Sequence, residues 1–298
     1  MKKENNDMSS YSARIKKALS SQTDLIDDNR HCSIDPEKGA SVNVYENMQA
    51  RVIRNATQYA LYTVSETRQE SPDKIVRMGK GGRQRVGTTN EFNGTLDSEV
   101  PNPTMTDAEA ESNSEFVERL TDDGSSTSLV ALAPHGGMIE NYTDEQAERV
   151  QASLAGKGAS SWRCKGWKSG GGAYERWHIT STEIDRRSFP SLDTIADRGF
   201  QYSVAFHGFS EPDILIGGGG PQNIKEMVRD AIANVATGYT VRLAGPEDPF
   251  NGDDPANLVN WLTQNGAGGI QIEQPYGARS NFWEAISDAV AGVFDTLI

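Results

Sequence analysis

The sequence predicts an α/β domain over residues 125–298: a mostly parallel mixed sheet flanked by helices, preceded by an N-terminal extension containing short strands. Three observations predict it. From Ser128 onward, apolar runs of strand length alternate with segments of helical period. Several of those runs end in chemistry-bearing residues, at His135, His207 and Glu273, and strand ends are where such sheets carry their sites. Upstream the composition changes: residues 1–41 are polar with no sustained apolar period, and residues 91–123 hold ten acids against one base, Arg119.

Taken in order, residues 1–41 read as a flexible tail. Residues 51–53, 59–64 and 75–77 read as short strands of a small extension that, with an acidic linker, reaches residue 124. The run Gly79-Lys80-Gly81-Gly82-Arg83-Gln84-Arg85 is Gly-rich and basic but lacks the GxxxxGK[ST] pattern, so it reads as a turn between strands. Phe116, Val117 and Leu120 are spaced for a short helix. Residues 128–133, stopped by Pro134, read as a buried strand. Thr143 reads as an N-cap with a capping box to Gln146, opening a helix to about Leu154. Residues 203–206 and 214–216 read as strands. Ile224, Met227, Val228, Ala231, Ile232 and Val235 define an amphipathic helix. Residues 239–243 read as a strand, 255–262 as a helix begun by proline, and 269–272 as a strand. Phe282, Trp283, Ile286, Val290, Val293 and Leu297 make a closing helix, capped by Asn281 with Glu284 three residues on.

Composition excludes whole classes. With 36% hydrophobic residues and 29 glycines in 298, the chain is neither wholly disordered nor collagen-like. Its apolar runs fall far short of the ~20 residues of a membrane span, and its polar start carries no secretory apolar region. No membrane partner is expected, and location stays open. The balance of 29 Lys and Arg against 42 Asp and Glu gives −13, a surface that repels phosphate backbones, so no nucleic-acid partner is expected. The two cysteines, Cys32 and Cys164, form no CxxC pair. They read as isolated thiols, with a single disulfide left open.

The chemistry collects around histidine. In Pro134-His135-Gly136-Gly137-Met138-Ile139-Glu140, a strand runs into a glycine-flexible loop. His135 and Glu140 are suitable zinc ligands, and the two glycines let the loop fold back so that both converge. The alternative is a glycine turn with a capping histidine. His207 offers a third ligand, or is a strand-end histidine satisfied by a neighbour. Glu273 follows an apolar strand and suits a general base beside a metal, or a salt bridge with Arg279. His178 reads as a substrate hydrogen-bond donor or as the polar side chain of a β-segment. Residues 160–190 carry six bases and three acids. That excess would focus an anionic substrate, with carboxylates suited to arginine as well as phosphates are, or it is a solvated loop. The glycines of 217–220 lack a GxGxxG pattern.

Together these motifs resemble the phage-type poly-γ-glutamate hydrolases, a family related in fold to zinc carboxypeptidases. The resemblance covers about 125–298. It rests on Ala133-Pro134-His135-Gly136-Gly137-Met138-Ile139-Glu140 followed by Thr143, on Trp177-His178-Ile179-Thr180-Ser181-Thr182, and on His207-Gly208 with Ile216-Gly217-Gly218. Asp254-Pro255-Ala256-Asn257-Leu258-Val259-Asn260 and Gly269-Ile270-Gln271-Ile272-Glu273 with Arg279 complete it. Val76-Arg77-Met78-Gly79 also looks like a segment of longer members. Departures are Met138 for Gly, Trp177 for Leu, and Glu183-Ile184-Asp185-Arg186-Arg187 where the family has an acidic-Pro end. The resemblance implies a zinc carboxypeptidase-like fold and one zinc ion per chain, held by His135, Glu140 and His207. It makes Glu273 the general base and gives His178 and Arg279 to the substrate. Arg186 and Arg187 loosely match a clamp for substrate carboxylates. The implied activity is hydrolysis of γ-glutamyl amide bonds in an anionic polymer, poly-γ-glutamate. The alternatives are the same zinc chemistry on another acidic or cell-wall peptide, and a non-catalytic capsule-binding protein. Oligomeric state and endo or exo cleavage stay open.

Overall fold

A computed structural model describes residues 9–298. It divides into two units. One holds the residues up to Val100 with Glu175–Ile179 and Glu183–Phe189, and the other holds Pro101–Tyr174, Thr180–Thr182 and Pro190–Ile298.

The first unit is a closed six-stranded barrel. Its elements are β1 (Ser10–Lys17), α1 (Thr23–Ile26), β2 (His31–Ile34), α2 (Pro36–Ala40), β3 (Gln49–Asn55), β4 (Gln58–Thr67), β5 (Ile75–Met78), α3 (Lys80–Arg85) and β6 (Phe92–Asp97). The strand order is β1-β5-β2-β4-β3-β6, closed by β1 against β6. Ile15, Ile34, Val52, Val64, Val76 and Leu96 fill its interior. This corrects the reading of the N-terminal third. Residues 10–40 are not a tail. In β1, Tyr11, Ala13 and Ile15 are buried while Ser12 and Arg14 are exposed, a period-2 stripe of only three apolar residues among charges. Residues 92–97, expected in the linker, form the strand that closes the barrel, and the 79–85 turn is the short helix α3. The strands expected near 51, 59 and 75 are β3, β4 and β5. Residues 1–8 of the expected tail lie outside the described residues.

Within this unit His31 is held from both sides, by Asp28 at 2.9 Å on Nδ1 and by Glu183 at 3.1 Å on Nε2. The hydrogen bonds that its ring donates to Asp28 and then to Glu183 outweigh partial burial and push its pKa up to about 10. A raised pKa stabilises the fold fully below the unfolded value of about 6.5, and the contribution fades as pH climbs through 10. Replacing His31 with Gln is therefore expected to cost about 1 kcal/mol at pH 6, a figure kept small because solvent screens a partly exposed pair. The cost should vanish above pH 10. Denaturant midpoints of both proteins across that range test it. A pH-independent difference would refute the ion-pair account.

The second unit is a seven-stranded sheet with helices. It comprises α4 (Asp107–Asn113), β7 (Phe116–Thr121), β8 (Leu129–Gly137), α5 (Thr143–Leu154), β9 (Ala159–Gly166), the start of α6 (Ala173–Trp177), α7 (Pro190–Ile195), β10 (Tyr202–Phe209), β11 (Ile214–Gly217), α8 (Gln222–Val235), β12 (Val241–Leu243), α9 (Leu258–Trp261), β13 (Ile270–Pro275) and α10 (Tyr276–Asp295). The strand order is β12-β11-β13-β10-β8-β9-β7. Among the described residues four pairings are parallel, and β7·β9 and β11·β13 are antiparallel. Phe116, Val117 and Leu120 thus sit on an edge strand and not on the expected helix, because β7 extends the sheet along β9. On one face, Leu129, Ala131, Ala133, Val204, Phe206, Ile270 and Ile272 pack against α5, α8 and α10 through Val150, Val228, Ile286 and Phe294. Each of the larger side chains, the alanines aside, contributes about 1.5–3 kcal/mol by burial. Ile224, Val228 and Ile232 form the buried stripe of α8, while Met227 is exposed.

Three helix starts differ from expectation. In α5 the N-cap is Tyr142, and Thr143 Oγ1 instead donates to the Glu140 carbonyl. The 255–262 helix shrinks to α9, capped by the Asn257 side chain. The closing helix begins at Tyr276, directly after β13, and not at Asn281. Cys32 and Cys164 are buried, free thiols, and burial pushes the Cys32 thiol up to about 12. No helix among the described residues is long and apolar enough to cross a membrane.

Candidate metal centre

Strand order creates the site. From β8 the chain steps to β9 on one side, whereas β10 leads on to β11 and β13 on the other. The crevice at such a reversal, outside the carboxyl ends of the strands, is the natural ligand position. His135 and His207 stand at those two ends.

Alternation explains His207. Val204 and Phe206 face the helical core, so His207 projects from the opposite face. The same rule would bury His135 in the helical core beside Ala131 and Ala133. It does not, because the β8·β9 register shifts between Ala133 and Gly136. The bulge adds one residue to β8 and re-aims the side chain. Gly137 then turns with φ of 68°, a conformation that glycine adopts without strain. Its N–H donates to Asp144 Oδ1 at 2.8 Å.

Three side chains converge. His135 Nδ1 lies 3.2 Å from His207 Nδ1 and 3.1 Å from Glu140 Oε1, and His207 Nδ1 lies 3.5 Å from Glu140 Oε2. Ligand atoms of a tetrahedral zinc with bonds near 2.0–2.1 Å stand about 3.3 Å apart. The donor set and its spacing therefore suit one zinc ion, with Glu140 facing the two rings through separate oxygens. All three residues are buried. Burial opposes charge on Glu140, yet the His135 and His207 imidazoles outweigh it and hold the carboxyl well below its usual range. Burial lowers the pKa of His207, which favours the neutral ring that binds metal. The Gly208 N–H donates to Glu140 Oε2 at 2.9 Å and orients the carboxylate.

Glu273 is in register with His207 on the neighbouring parallel strand. Its carboxyl is pushed well above the usual range, first by burial and then by the charge of Glu140, against the opposing pull of Arg279 and Gln271. Arg279, buried in the first turn of α10, donates to the Asn141 carbonyl at 2.6 Å and the Gln274 carbonyl at 3.2 Å. It lies over Gly208, where a Cβ would run into the guanidinium. Gln274 and Gln146 exchange two amide hydrogen bonds of 2.9 Å, tying α5 to β13 beneath the site.

The remaining expected residues belong to the barrel unit. His178 follows α6, and its carbonyl accepts from Arg30 Nη1 at 2.7 Å. Arg187 is exposed and engages Asp185 through two nitrogens, while Arg186 is half-buried in the same turn. The six bases of 160–190 divide between the two units. In the sheet unit Arg163 pairs with Glu148, Lys165 bridges Asp107 and Asp144, and Lys168 donates to the Gly171 carbonyl. Arg176 and Arg187 bond within the barrel unit. Sequence reasoning missed Asp144 and Lys165, which brace the Gly137 turn. An acid one place after a helix-opening threonine reads as capping, and that hid its role.

A mixed α/β protein with a buried histidine–carboxylate centre at its strand ends is the class that this fold and site define. The chain belongs to the poly-γ-glutamate hydrolase family, whose model matches residues 104–291. It is similar to the SPbeta prophage-derived UPF0714 protein YoqZ of Bacillus subtilis (strain 168), 28% identical over 149 residues. That match covers 49% of this chain and spans about half of the relative's length, 48%. Two solved structures are similar. One is a bacteriophage poly-γ-glutamate hydrolase, 20% identical, covering 60% of this chain and 89% of that one with a TM-score of 0.49. The other is YNDL in its zinc-free form, 22% identical, covering 61% and 90% with a TM-score of 0.48.

Proposed function

We propose that this chain is a zinc-dependent hydrolase of zinc carboxypeptidase type that cleaves γ-glutamyl amide bonds of poly-γ-glutamate. The observation that carries the proposal is the convergence of His135, Glu140 and His207 at 3.1–3.5 Å from one another, in a chain of the poly-γ-glutamate hydrolase family. These three residues would hold one zinc per chain. Bound there, zinc supplies polarisation of the amide carbonyl and a lowered pKa for water. Glu273 is the general base: it takes a proton from the attacking water and passes it to the leaving amine. Its raised pKa suits both halves of that task. Arg279 is assigned to the substrate's carboxylates and carbonyls; His178, Arg186 and Arg187, in the barrel unit, keep the substrate role that the family resemblance implies. A buried carboxyl in register with a ligand histidine favours an enzyme over a capsule-binding protein, which has no use for a base there.

The test is incubation of poly-γ-glutamate with the protein, with and without chelator, alongside metal analysis. About one zinc per chain and shortening of the polymer, stopped by chelator and restored by zinc, is the expected result. Zinc without shortening would sink the substrate assignment. No zinc uptake would sink the site.

A further inference from the structure

The segment Asp254-Pro255-Ala256-Asn257-Leu258-Val259-Asn260 stands out in the sequence, yet neither the metal ligands nor the base explains it. Its side chains run to Glu273. Asn257 Oδ1 accepts from the Val259 N–H at 3.1 Å. That bond fixes which end of the amide faces outward, so Asn257 Nδ2 is the donor to Gln271 Oε1 at 2.8 Å. With its oxygen engaged, Gln271 turns its nitrogen the other way. Nε2 donates to Glu273 Oε1 at 3.0 Å and to the Phe250 carbonyl at 3.0 Å. The backbone N–H of Val259, through two amides, and the Phe250 carbonyl, directly, together set a donor at one oxygen of Glu273.

The surroundings hold this chain rigid. Gln271 and Glu273 are two apart on β13 and share a face, and both are buried. Gly252, with φ of 72°, sits where a Cβ would collide with the Gln271 side chain. Asn260 pins the loop by donating to the Gly252 and Asp254 carbonyls at 2.8 Å each, and by accepting from Gly219 and Gly269.

We propose that Asn257 and Gln271 are positioning residues for the general base: they hold Glu273 Oε1 as an acceptor and leave Oε2 as the oxygen that takes the proton. This rests on the reading of Glu273 as base. An oxygen already accepting from an amide is the poorer proton acceptor, so the chain selects one of two chemically equal atoms and fixes its direction.

Asn257→Asp is the discriminating variant. It keeps the acceptor for Val259 and the size of the side chain, removes the donor and adds a carboxyl; Gln271→Met, which adds no charge, separates the two effects. The Gln271 oxygen then loses its donor, and the amide is left with the Phe250 carbonyl as its one remaining anchor besides Glu273. The expected result is a fall in kcat of about 10- to 100-fold, with KM and zinc stoichiometry unchanged. In a Glu273→Gln background the same change should cost nothing further. In metal-free protein, hydrogen exchange of the Gln271 side-chain amide, followed by NMR, should speed up in Asn257→Asp. An unchanged kcat, an equal loss in both backgrounds, or unchanged exchange would overturn the proposal. If Glu273→Gln itself turns over like the parent, the base assignment fails first, which is a separate result. Should Asn257→Asp fold poorly, Gln271→Met removes the same donor from the middle of the chain and is read in the same two backgrounds.

Discussion

Replacing Glu273 with Gln is expected to lower kcat on poly-γ-glutamate by about 10²- to 10⁴-fold, the usual range for a lost general base. Zinc content should stay near one per chain, because none of the three converging donors belongs to Glu273. The fold should survive as well. Glutamine has the same shape, and burial already disfavours the charged carboxylate at this position, so an uncharged amide removes a strained charge and leaves no cavity. Steady-state kinetics, metal analysis and a thermal melt together check this. Turnover within tenfold of the parent would remove Glu273 from the mechanism. Loss of zinc together with activity would make it a ligand or a support for one.

His135→Ala should have an effect of similar size by a different route. A site with one histidine and one carboxylate left no longer surrounds the ion, so zinc stoichiometry should fall towards zero at micromolar zinc. Activity should fall roughly a thousandfold or more, the loss of several kcal/mol of charge stabilisation. His207→Ala should do the same. Secondary structure should persist in both, since these imidazoles project from the face opposite the helix-packed core. Either variant retaining one zinc and full turnover would refute the ligand assignment.

Much of the sheet unit was legible in the sequence because its signals are local. Val204, Phe206, Ile270 and Ile272 are apolar at strand period, and α8 carries its stripe at Ile224, Val228 and Ile232. The residues that meet at the centre were legible because histidine is scarce and ends two of these strands. The barrel was not legible. Its first strand is polar or charged on one side, as Ser12 and Arg14 show in β1, and the barrel closes through pairing of β1 with β6, which are far apart in sequence. No local pattern announces closure. The supporting polar residues were hidden for a related reason: Asp144, Gln271 and Asn257 look like cap or surface residues until the loops that they bind are in place. In the basic run of 160–190, net charge counted along the chain does not reveal partners such as Glu148 and Asp107, which arrive from elsewhere to engage Arg163 and Lys165.

The bulge in β8 has a consequence of its own. Which side of the sheet His135 occupies is set by a count of residues between Ala133 and Gly136, an odd-or-even property that side-chain chemistry does not enter. Substitutions there can weaken the centre by degrees. Gain or loss of a single residue would instead exchange the two sides, sending the imidazole into the oily interior and a neighbour into its place. The centre is thus tolerant in spelling and intolerant in length, and variants of this stretch should differ by replacement while keeping its spacing fixed.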